Sequence, residues 1–177
     1  MINKKAISPV ITTVLLIMIS IAAVAIVASV VFPLFNPDEG ECFKAVGQID
    51  IDTSSKYTCY YIIDPTAAAG DEYAVVNVSI KRGAEPLGIE QFIIMVYGEG
   101  RNERFEIKKE IRTDTKILMY GAATLAEAQD IKIPERREMM TYSLTTTLGE
   151  VTSMEISPVI KGNIFCNAAD RQVIEMC

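Results

Sequence analysis

Residues 7–35 read ISPVITTVLLIMISIAAVAIVASVVFPLF, and no charged side chain falls among them. Lys4 and Lys5 precede the stretch, and the next charge along the chain is Asp38. Its polar side chains are Ser8, Thr12, Thr13, Ser20 and Ser29, all hydroxyls that can return a hydrogen bond to a helix backbone. At 1.5 Å per residue, the roughly 23 residues from Val10 to Phe32 make a helix of about 35 Å, against a hydrocarbon layer of about 30 Å. The amphipathic helix of a soluble domain needs a polar face, and this run has none. A transmembrane helix is expected.

The basic pair lies on the N-terminal side only, so the positive-inside bias keeps the N-terminus in the cytoplasm and exports the remainder. A cleaved secretory signal has an apolar core of about 7–15 residues, shorter than this run. Pro33 and the group Asn36-Pro37-Asp38-Glu39-Gly40 bring turn chemistry that closes the segment. The expected division is a hydrophobic helix over 7–35, a linker over 36–41 and an extracellular domain over 42–177.

Period-two alternation in that domain predicts strands with one buried face. From Tyr73 to Ile80, Ala74, Val76, Val78 and Ile80 share one face, while Asn77 and Ser79 share the other, expected wet, face. Similar patterns set Ile49 and Ile51 against Asp50 and Asp52, Phe105 and Ile107 against Glu106 and Lys108, and Tyr142 and Leu144 against Ser143 and Thr145. Turn signals at Asp64-Pro65, Ala69-Gly70-Asp71, Arg82-Gly83, Gly98-Glu99-Gly100 and Leu148-Gly149 separate them. Residues 121–129, rich in Ala, predict one short helix. The run Phe92 to Tyr97 is apolar on both faces and reads as a central strand, or as one that presents a face to a neighbour. The expected class is α+β: a long hydrophobic helix, then an antiparallel, immunoglobulin-like β-sandwich.

Cys42, Cys59, Cys166 and Cys177 all lie in the exported part, and an even number there predicts two disulfides. Pairing Cys42 with Cys59 and Cys166 with Cys177 closes the shortest loops; pairing an early cysteine with a late one would tie the ends of the domain together. Asn77-Val78-Ser79 is a glycosylation sequon on the expected wet face. Asp50 and Asp52 share a strand face, which suits either calcium or a plain wet edge. Tyr57, Tyr60 and Tyr61 surround Cys59 and fit either packing against a disulfide or a sugar platform.

The chain has no histidine, which removes Ser-His-Asp and Cys-His catalysis, and no Gly-rich phosphate loop is present. No enzyme activity, cofactor or metal is expected. With 17 basic and 23 acidic residues the net charge is −6, a surface that offers nucleic acid little to hold.

The residues Lys4-Lys5-Ala6-Ile7-Ser8-Pro9-Val10-Ile11, followed by Thr12-Thr13-Val14-Leu15-Leu16, resemble the class III signal sequence of archaeal type IV pilin precursors. The resemblance implies a leader over 1–6, cut between Ala6 and Ile7 by a prepilin peptidase, with the apolar helix retained. It also implies that the precursor waits in the cytoplasmic membrane and that copies then polymerise into an extracellular adhesive filament. The filament core would be Val10, Ile11, Val14, Leu15, Ile17, Met18, Ile21, Val24, Ile26, Val27, Val30 and Phe32. An assembly ATPase and a membrane platform protein are the further partners implied. Bacterial pilins usually carry a glutamate at the fifth mature position, here Ile11, and the Ser-Pro-Val start is less similar to the archaellins of motile filaments.

Overall fold

The computed structural model of the chain describes residues 9–34, 37–63, 66 and 74–177, and the side chains of these except at 9–10, 30–34 and 37–39. The Ala6–Ile7 bond, the turns read at Asp64-Pro65 and Ala69-Gly70-Asp71, and the side chains of Val10, Val30 and Phe32 lie outside the described residues. The chain divides into two compact units, Met1–Gly40 and Glu41–Cys177.

The first unit is dominated by α1 (Pro9–Leu34), 26 residues of unbroken helix. Its many Val and Ile residues are indifferent helix formers in water, but an apolar medium leaves a helix as the way to satisfy every backbone group within one segment. Ser20 and Ser29 donate their hydroxyls to the carbonyls of Ile17 and Ile26, each at 2.8 Å. Pro33 falls within the last turn, next to the helix end at Leu34. Where turn chemistry was expected, α2 (Pro37–Val46) is helical and begins on Pro37, a position at which the missing N–H costs nothing.

The second unit is β-rich and antiparallel. Its elements are β1 (Ile49–Ile51), β2 (Cys59–Ile62), β3 (Ala74–Arg82), β4 (Ile89–Gly98), β5 (Arg101–Lys108), β6 (Glu110–Ile111), β7 (Ile117–Met119), α3 (Leu125–Gln129), β8 (Asp130–Ile131), β9 (Met139–Thr146), β10 (Ser153–Ile160), β11 (Ile164–Phe165) and β12 (Asp170–Val173). In the first sheet β3 pairs with β9, which continues to β7, and its other edge is shared by β1 and β2. In the second sheet β10 pairs with β4, which continues to β5, while β11 and β12 share its other edge. β6 and β8 form a separate pair.

The alternating residues do what their period demands. Ile49, Val76, Val78, Ile80, Tyr142 and Leu144 from the first sheet join Phe92, Ile94, Val96, Ile107, Met154 and Ile156 from the second in one contiguous core. β4 is central, as its apolar run predicts: Phe92, Ile94 and Val96 are fully buried, and Ile93, on the opposite face, is 9% exposed. The turn at Glu99-Gly100 has φ of +51° and +72°, which matches a two-residue hairpin between Gly98 and Arg101. Pro158 falls within β10 at the interval between its pairing with β12, ending at Ile156, and with β11, starting at Val159. Its carbonyl accepts from Cys166 N at 3.1 Å, so no ladder bond needs the hydrogen that proline lacks. The expected short helix is present as α3, capped by Thr124, whose hydroxyl accepts from Glu127 N.

Candidate functional site

Two features stand out chemically: the surface of α1 and the covalent ties of the β domain. Of the residues expected in a filament core, Ile11, Val14, Leu15, Ile17, Met18, Ile21, Val24, Ile26 and Val27 are all exposed, Val24 by 68%. They lie on every side of the helix, and 19 residues, Ile11–Ser29, form a stretch long and apolar enough to cross a membrane. An apolar surface of this extent marks a contact with lipid or protein.

The four cysteines pair as Cys42–Cys166, with Cα atoms 5.2 Å apart, and Cys59–Cys177, with Cα atoms 5.0 Å apart. Two disulfides were expected, but the shortest-loop pairing is overturned. The bonds are interleaved and span 124 and 118 positions. The reason is topological. Cys42 lies in α2 and Cys166 follows β11, whereas Cys59 opens β2 and meets the chain after β12. There Tyr60 N donates to Glu175 O and Cys177 N donates to Tyr60 O, so residues 175–177 run alongside β2. Asp170, at the start of β12, accepts from Ile51 N at 2.9 Å and fastens the second sheet to the first.

Asn77 corrects another expectation. It is 5% exposed, and its Oδ1 accepts from Ser143 Oγ at 2.7 Å. Ser79 on the same face is fully buried, with its hydroxyl between Ser55 and Thr141. The polar face of β3 is covered by the segment after β1, where Thr58 Oγ1 accepts from Ser79 N. The side chain that glycosylation at Asn77 would need is therefore enclosed. The tyrosines around Cys59 likewise part company: Tyr60 is in the core, Tyr61 is exposed, and Tyr57 packs on Tyr120 with ring centroids 5.2 Å apart. This is packing, not a three-ring platform.

Asp50 lies within β1 and is exposed, whereas Asp52 falls just beyond the strand. Asp52 accepts from Ser54 N and Oγ, and the Ser54 hydroxyl holds its carboxyl below the usual range. Among the described residues, no group of three acids or cysteines is placed to hold a metal ion.

Other polar side chains bind the domain together in ways that periodicity does not announce. Glu103 on β5 accepts from Thr146 Oγ1 at 2.8 Å and Thr147 N at 2.9 Å, clamping the turn after β9. Arg82 donates to the carbonyls of Pro134 and Leu87, its Nε is buried without a partner, and burial, then the like charge of Arg136, lowers its pKa. Arg112 lies 2.8 Å from both Glu110 and Asp114 and holds the Asp114 carboxyl below its ordinary value.

No protein-family model, no curated protein and no solved structure matches the chain. The described residues define a class: an α+β chain with an apolar helix long enough to cross a membrane, and an antiparallel two-sheet domain tied by two disulfides.

Proposed function

We propose that this chain is the structural subunit of an extracellular filament of the archaeal type IV pilus kind, polymerising through α1. The observation that carries the reading is the surface of α1, uncharged and apolar on every side, behind the basic pair Lys4-Lys5. In lipid the helix anchors a precursor with its N-terminus inside. In a filament the same side chains pack against copies of themselves, each fully buried Val, Leu or Ile contributing about 1.5–3 kcal/mol relative to water. Extraction from lipid gains less than this, because lipid already shelters those groups. Close packing and a driven machine must supply the difference, which is the part an assembly ATPase and platform protein would play. The two disulfides fit an oxidising exterior.

The domain reads most closely as an immunoglobulin-like sandwich. If β2 with β1, β3, β4, β5, β7, β9, β10 and β12 with β11 are strands A, B, C, C′, D, E, F and G, the sheets have the orders A-B-E-D and G-F-C-C′. Such domains would sheathe the helical core and meet the surface to which the cell adheres.

The test is isolation of surface filaments from the native cell, with identification of their major protein by mass spectrometry. The expected result is this chain, beginning at Ile7, as the repeating subunit. Recovery solely as dispersed copies in the membrane fraction would overturn the polymer and leave an anchored binding protein. A trace amount at filament ends would make it a minor pilin, and recovery in a rotating motility filament would make it an archaellin-like subunit.

A further inference from the structure

We infer that the four cysteines reach their native pairing through a dithiol catalyst of the disulfide-isomerase kind, acting on the face of the membrane where the domain folds. The observation is the mismatch between sequence proximity and native connectivity. In an unfolded chain, loop closure falls off as about the three-halves power of loop length. Cys42 and Cys59 are 17 positions apart, whereas Cys42 and its native partner Cys166 are 124 apart. Local closure is favoured about 20-fold. For Cys177 the contest is 11 positions to Cys166 against 118 to Cys59, or about 35-fold.

The fold cannot accommodate the local Cys166–Cys177 pair, and in it Cys42 and Cys59 are each bonded elsewhere. Bonded cysteines keep their Cα atoms within about 7 Å. Cys166 N is bonded to Pro158 O, and by Ile174 the chain has run up β10 to Thr152 O before crossing to Tyr60 in the other sheet. Six residues of strand, about 20 Å, separate those levels. A Cys166–Cys177 bond would pull β12 out of the second sheet.

Order of export sharpens the contest, a step that rests on reading the domain as exported N-terminal end first. Cys42 and Cys59 are both outside while the 107 residues up to Cys166 are still to come. At about 5–20 residues per second this lasts about 5–20 s, and β9 and β10, central strands of the two sheets, emerge only in about the last quarter of it. Cys42 has one partner in reach then, and it is the wrong one.

The correction is redox-neutral. A catalyst thiolate attacks Cys59 Sγ of the Cys42–Cys59 bond, forms a mixed disulfide and releases the Cys42 thiolate. That thiolate attacks Cys166 Sγ of the Cys166–Cys177 bond, forming Cys42–Cys166 and releasing Cys177. The Cys177 thiolate attacks Cys59 Sγ of the mixed disulfide, forms Cys59–Cys177 and returns the catalyst thiolate. In the folded domain Cys166 is 7% exposed, so exchange must precede final packing.

The experiment uses the full chain in detergent, reduced and unfolded in guanidinium, and does not depend on filaments. It is oxidised with diamide, which takes two electrons and two protons for each disulfide formed. The denaturant is then diluted, free thiols are alkylated, and the pairing is read by peptide mass. Local pairs should exceed native pairs at least tenfold, persist after dilution, and convert to native pairs when a dithiol isomerase is added. The double variant Cys59→Ser with Cys177→Ser has no local competitor and should form Cys42–Cys166 without a catalyst. Native pairs dominating at once, or appearing after dilution with no thiol added, would overturn the inference, as would failure of the isomerase to convert the local pairs.

Discussion

Gly98 ends β4 against the turn after β9, and a Cβ there would run into the Glu150 carbonyl oxygen, which is backbone and cannot rotate aside. Gly98→Ala should destabilise the domain by about 3 kcal/mol, the upper end of overpacking penalties, read as a lower urea midpoint with unchanged slope. Tyr142 is fully buried and donates its hydroxyl to Lys132 O at 2.6 Å. Tyr142→Phe leaves that carbonyl without its donor and should cost about 1 kcal/mol. The core role of Tyr142 was legible from its alternation with Ser143. The enclosure of Asn77 was not, because period two separates the faces of a strand but does not say whether another segment lies over the polar one.

Among elements, α1 was the most legible, since a run without charge and without a polar face leaves few alternatives. Its middle is also the most sensitive place to test. Val24→Asp puts a carboxylate inside the span, which opposes insertion by up to about 3 kcal/mol on translocon scales. If the chain polymerises through α1 as proposed, filaments should disappear from the surface while whatever protein inserts keeps a folded domain, checked by protease resistance. The turn at Gly98-Glu99-Gly100 was likewise readable from its glycines, but the positive φ of Glu99 was not, because a glutamate rarely adopts it. α2 was missed: Asn36-Pro37-Asp38 suits a turn and a helix start equally, and the apolar contacts of Ala45 and Val46 that favour the helix are tertiary.

For the whole molecule, the two-sheet layout followed from strand count and turn spacing, but partner choice did not. Which strand lies beside which, and which cysteine meets which, depends on long-range packing. The pH response follows from groups spread over the domain. Asp52 and Asp114 have folded pKa values below the usual carboxylate value, so their contribution is present above it and is lost as pH falls through the folded values, below about 4. Burial raises the pKa of Tyr142, so its contribution is complete below about pH 10 and fades above it, as the unfolded phenol ionises. The chain has no histidine, so thermal stability should be nearly flat from pH 5 to 8, with an acid arm and an alkaline arm. The alkaline arm should shrink in Tyr142→Phe. A stability maximum sharply peaked near pH 6.5 would contradict this assignment.

The interleaved disulfides also decide where tension travels. A pull between Glu41 and Ile174 meets Cys42 at once and crosses to Cys166 through sulfur, so the intervening polypeptide carries no load while that bond holds. The slack locked behind it is 124 residues, about 400 Å of extended chain. In single-molecule stretching of the oxidised protein that length should stay hidden, and after reduction it should be released. A domain strung in this way would resist a tug as a short covalent strap rather than as two sheets held by hydrogen bonds.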